Sequence, residues 1–83
     1  MPVYNCLVIL VRDPQTGRAS GRVANLAGIS GEASSERDLL FLLTRRFREQ
    51  LQLCVREGRA ISWVDPAEVP GPGEQQRFIP IHL

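Results

Sequence analysis

Leu39, Leu40, Leu43, Phe47, Leu51 and Cys54 follow the three-to-four-residue spacing of one helical stripe, and no other stretch of the chain has it. A lone amphipathic helix must bury that stripe against something. In a chain of 83 residues the only other material is β-structure, so one helix has to lie on one sheet. The helix is expected from about Ser35 to Glu57. Ser34 and Ser35 are both good N-caps, and Ser35 with Asp38 makes a loose capping box. Acidic Glu36 and Asp38 suit the positive end of the helix dipole, and Gly58 suits the left-handed C′ position.

The rest reads as short strands and turns. Val3 to Arg12, VYNCLVILVR, has strand composition. Asp13, Pro14 and Gly17 then reverse the chain into a hairpin. Arg18 to Leu26 is the returning strand, with Gly21 as a bulge or a point of close backbone approach. Gly28 makes a tight turn, and a short third strand follows over about Ile29 to Ala33. After the helix comes an extended connector anchored by Trp63, then a Pro- and Gly-rich loop over residues 65–76. Arg77 to Leu83 is the final strand; Pro80 removes one ladder donor, so the strand is expected at an edge or paired on one side there. The order is β-β-β-α-β, an α+β fold with an antiparallel sheet and one long helix on one face. Residues 1–83 make a single domain.

This layout leaves apolar side chains over. Phe41 projects to the same side as Arg45, Arg48 and Gln52, opposite the stripe, and Leu42 lies on an intermediate flank. In the first strand Val3, Leu7, Ile9 and Val11, with Asn5, alternate with Tyr4, Cys6, Val8 and Leu10, so both faces are largely apolar. Such a strand needs cover on both sides, and one helix covers one. Each large side chain left in water forfeits about 1.5–3 kcal/mol. The Pro-rich segment, with Trp63 and Val69, can cover part of the second face, and a second copy of the chain can cover more. Phe41, Leu42, Tyr4, Val8 and Leu10 are therefore the candidate partner or oligomer interface, and a symmetric homodimer is expected.

Other function classes find little support. The net charge of +1 sets up no field toward nucleic acid or membrane. All ten basic residues are Arg, which reads either as codon bias or as selection for bidentate contacts. CLVILV is too short to span a bilayer and lacks a cleavage site, so a cytoplasmic location is expected. Cys6 and Cys54 read as buried thiols, with a disulfide open only if strand and helix bring them face to face. His82 is the only histidine and should face water. No metal-ligand spacing occurs, so no cofactor is expected. The carboxylates do not converge as a two-metal nuclease site requires, and His82 is not aimed at any serine, so the chain is not expected to be an enzyme. Arg45, Arg48 and Arg56 are candidate nucleic-acid contacts on an exposed helix side. An (i, i+4) pair such as Arg45–Glu49 makes the same side read as an ordinary solvated face.

One further likeness lies in short motifs. Asn25-Leu26-Ala27-Gly28, the capped helix start Ser34 to Leu39, and Glu57-Gly58-Arg59-Ala60-Ile61-Ser62 together resemble the HicB-type proteins over residues 3 to 65. In that family the first motif reads D-L-P-G and the last D-G-x-x-I-P, so Asn25, Ala27, Glu57 and Ser62 stand here in place of Asp, Pro, Asp and Pro. The resemblance implies a partial ribonuclease-H-like β-β-β-α-β domain. It also implies antitoxin-like binding of a small ribonuclease toxin. Many members carry a further DNA-binding segment. Here the chain ends at Leu83 in a strand, so operator binding is not expected.

Overall fold

The computed structural model describes residues 2–83. Its elements are β1 (Val3–Arg12), β2 (Ala19–Val23), β3 (Ser30–Ala33), α1 (Glu36–Glu57) and β4 (Gln75–His82). The four strands form one sheet in the order β3-β2-β1-β4, and every neighbouring pair is antiparallel. The fold is α+β with the expected order, and β4 lies at an edge, where Pro80 has no ladder donor to supply.

Local chemistry sets the boundaries. The β1–β2 turn is held by Asp13 Oδ1, which accepts from the Gln15 N–H, and by Gly17 at a φ of 80°. Ser35 caps α1, its Oγ accepting from the Asp38 N–H at 3.1 Å. Gly58 closes the helix in the left-handed conformation, and the N–H of Arg59 returns to the Cys54 carbonyl. The connector of residues 58–74 is long enough to carry the chain to the far side of the sheet and back. For that reason β4 enters antiparallel to β1 instead of following directly from the helix.

Strand β2 ends earlier than its composition implies, at Val23. Beyond it the Ala24 N–H still reaches the Leu7 carbonyl, and the Asn25 side chain then takes over. Its Oδ1 accepts from the Leu7 N–H at 3.1 Å, and its Nδ2 donates to the Asn5 carbonyl at 2.8 Å. One amide thus supplies the donor and the acceptor that a longer β2 would have offered.

The helix covers one face only. Leu39, Leu43, Phe47, Leu51 and Cys54 are buried along α1. The first four of these pack with Cys6, Val8 and Leu10 of β1, Ala19 and Val23 of β2, Leu26, Ile29 and Ile81 into one core. Trp63 closes one end of it, stacked on Tyr4 with ring centroids 5.9 Å apart and tilted against Phe47 at 6.2 Å. Cys6 and Cys54 are both buried and free, and burial pushes the Cys6 thiol up to about 12, which makes it chemically inert.

Two close approaches bring these layers together. Gly31 of β3 faces the helix, and a Cβ there would meet Leu42 Cδ2 at 3.0 Å. Gly21 of β2 is tighter, because a Cβ there would sit 2.5 Å from the Ile9 carbonyl oxygen.

Candidate interaction surface

The five residues expected to form a partner surface do not form one. Val8 and Leu10 lie beneath α1 and are fully buried, and Tyr4 is half-buried behind Trp63. The helix covers the Tyr4, Cys6, Val8 and Leu10 face of β1, so these residues are core and the interface assignment is corrected for them. Leu42 is corrected as well: it turns toward β3 and is half-buried against the gap that Gly31 leaves. Phe41 alone of the five points to solvent, 70% exposed on the outward side of α1.

The unshielded apolar surface lies on the other face of the sheet. There Val3, Leu7, Ile9 and Val11 of β1 stand beside Phe78 and Pro80 of β4, with Phe78 directly across from Leu7. Phe78 is 65% exposed, Val3 52% and Val11 40%. Ile9, at the centre, is fully buried although the helix is on the opposite side. The connector accounts for its burial. The N–H groups of Val64 and Glu68 bond the Asn25 and Ala24 carbonyls, and Leu26 bridges Trp63.

An ionic latch completes this cover. Arg22, across from Ile9 on β2, donates from Nε to Glu68 at 2.8 Å and from Nη1 to Glu74 at 2.8 Å. Both carboxylates belong to the connector. Beside the latch an open groove of about 450 Å³ is lined by Val11, Ser20, Arg22, Glu32 and Glu74. The guanidinium is engaged by two carboxylates, so the groove presents no free cation to an anion.

The latch has a pH dependence. Hydrogen bonds from Arg22, and then from the Gly71 N–H, hold the Glu74 carboxyl below its ordinary value of 4.5. Glu74 therefore binds fewer protons folded than unfolded. Its contribution is fully present above the ordinary value and is lost as pH falls through the lowered folded value. Hydrogen exchange at Val64 and Glu68, corrected for intrinsic rates, should quicken between about pH 6 and about pH 3. Glu74→Gln should flatten that change. Equal protection at both pH values would show that the connector is held without the latch.

The Arg residues are dispersed. Arg45 pairs with Glu49 at 3.0 Å, and Arg46 donates to the Ser30 carbonyl at 2.8 Å. Arg77 pairs with Glu36 at the helix start. Among the described residues Arg48 and Arg56 have no carboxylate within the 4.0 Å of an ion pair, and both are exposed. His82 is exposed on β4. Among the described residues no three His, Cys, Asp or Glu are grouped to hold a metal ion, and no helix is long and apolar enough to cross a membrane.

Phe78 escaped the sequence reading. The signal for it was Pro80: a proline that assigns a strand to an edge also tells, by alternation, that Phe78 shares its face. No family model matches this chain, and no curated protein or solved structure matches it.

Proposed function

We propose that this protein is a small non-catalytic interaction module that pairs with a second copy of itself at β4, the strand carrying Phe78. In the HicB manner, such a pair would dock a small ribonuclease toxin. The observation that carries the reading is the exposure of Phe78, 65% open on β4, on a sheet face where among the described residues the connector covers the Ile9 region and leaves Phe78 and Val3 exposed. An exposed aromatic across from Leu7 and next on its face to Pro80 is the kind of side chain found at an interface centre. The motifs of Asn25 to Gly28 and of Glu57 to Ser62 support the HicB-like part.

Sedimentation over a concentration series tests it. The native chain should run as a dimer. Phe78→Glu should weaken association about thirtyfold or more, the loss of a buried aromatic anchor worth ~2 kcal/mol, and leave the far-ultraviolet dichroism unchanged. Phe41→Glu should leave association as it is. A native chain that stays a monomer at every concentration would remove the reading.

A second reading draws on Arg48 and Arg56, which have no carboxylate partners among the described residues. The outward side of α1 would then track phosphates, and its affinity for RNA or duplex DNA would fall steeply with salt. Absence of binding at low salt would eliminate it.

A further inference from the structure

Backbone hydrogen bonds determine which strand edges are open. Asn5 and Leu7 direct their backbone groups toward β2 and the Asn25 side chain. Successive residues of a strand alternate, so Tyr4, Cys6 and Val8 bond β4. Their partners across the ladder are Ile81, Ile79 and Arg77, whose backbone groups turn inward. Gln76, Phe78 and Pro80 therefore turn theirs to the open edge.

The two edges of the sheet are treated differently. Strand β3 is short, and the outward carbonyl of its Ser30 is occupied by Arg46. Strand β4 has eight residues, twice as many, and no other part of the chain is bonded along its outer edge among the described residues. A long open edge with an exposed aromatic at its middle is a template for another strand.

Extending the pairing reading above, we propose that β4 pairs antiparallel with β4 of a second copy, with the two-fold axis passing through Phe78. In this register Phe78 exchanges both its backbone bonds with Phe78 of the other copy. Gln76 stands opposite Pro80, and the Gln76 N–H donates to the Pro80 carbonyl, twice by symmetry. One acceptor would be left over, because Pro80 has no N–H to give the Gln76 carbonyl. That carbonyl already accepts from Arg77 Nη1 of its own chain at 2.9 Å. The side chain fills the one vacancy that the proline creates. Moving the axis to Arg77 would set two guanidinium-bearing residues directly opposite each other. Moving it to Ile79 would set Phe78 opposite Pro80 and lose a central donor. The result is an eight-stranded sheet with both helices on one face and the Phe78 rings together on the other.

Cysteine pairs in the full-length chain test the register while keeping Phe78. Directly opposed residues of an antiparallel pair have Cα atoms about 5.5 Å apart, within the range a disulfide spans. Gln76→Cys mixed with Pro80→Cys should cross-link under mild oxidation at least tenfold more than either variant alone. Gln76 of one copy lies four residues, roughly 13 Å, from Gln76 of the other. The native Cys6 and Cys54 are buried and do not compete. Sedimentation of the reduced variants is run in parallel. A dimer that yields no mixed disulfide would overturn this register and leave the pairing reading standing. A monomer would overturn both.

Discussion

Gly21→Ala is expected to destabilise the domain by roughly 3 kcal/mol, the upper part of the range for overpacking, although it adds one methyl group. That methyl would sit 2.5 Å from the Ile9 carbonyl oxygen and 3.0 Å from Leu10 Cβ. Neither obstacle can rotate away. The oxygen belongs to the backbone of the central strand, and Leu10 is packed under the helix. Relief would require β1 and β2 to separate at the point where their ladder brings Leu10 opposite Gly21. Gly31→Ala is the matched control. Its new methyl meets first the Leu42 Cδ2 atom, also at 3.0 Å. That atom is the free end of a half-buried side chain and can move, so the cost should be about 1 kcal/mol. Urea midpoints of the two variants give the comparison. Equal losses would mean that β1 and β2 are not pinched at Gly21.

Both glycines bear on what was legible in the residues. Gly21 stood out because it lies inside an expected strand, and close backbone approach was the right one of its two readings. Gly31 lies among small polar residues, where a glycine attracts no notice. Its role shows only once the helix lies across β3. The same limit explains the interface. Periodicity said correctly that both faces of β1 are apolar and that one helix cannot cover both. It could not say which face the helix takes, because Tyr4, Cys6, Val8 and Leu10 are no more apolar than Val3, Leu7, Ile9 and Val11. That choice is made by long-range pairings. Asn25 and the Arg22 latch bring chain segments far apart in sequence to one side of the sheet. The surplus was legible in the residues; its position, at Phe78 and not at Tyr4, was not.

The latch and the edge divide the outer face between them. Connector residues cover the Ile9 region, where Arg22 supplies a fixed charge for Glu68 and Glu74 to meet. Arg77 of β4 lies on the helix side and pairs with Glu36, and among the described residues no ion pair stands on the Phe78 side of that strand, where Phe78 and Val3 stay exposed. Exposure there follows from where the charges lie, since the Pro- and Gly-rich segment has no regular structure to carry its own cover further.

Phe47→Ala should bring the domain close to unfolding, with a loss of about 3–5 kcal/mol. A chain of this length is stabilised by roughly 4–12 kcal/mol in all, so the variant gives up between about a quarter of that and everything. Phe47 is the largest fully buried side chain and stands at the middle of the α1 stripe. Its ring also supports Trp63, which in turn stacks on Tyr4, so the cavity would open beneath the lid of the core. Collapse around the gap is hindered because Leu43 and Leu51, one turn away on either side, are already fully packed. Two readouts distinguish this from a general weakening. The urea midpoint should fall sharply, and Trp63 fluorescence in the folded protein should shift to the red as its apolar wall is removed. Phe41→Ala, a phenylalanine on the same helix but facing water, should change the midpoint by no more than about 0.5 kcal/mol in stability. Similar losses from the two variants would mean that α1 is rotated about its axis. The face of β1 it covers, and with it the exposure of Phe78, would then have to be reassigned.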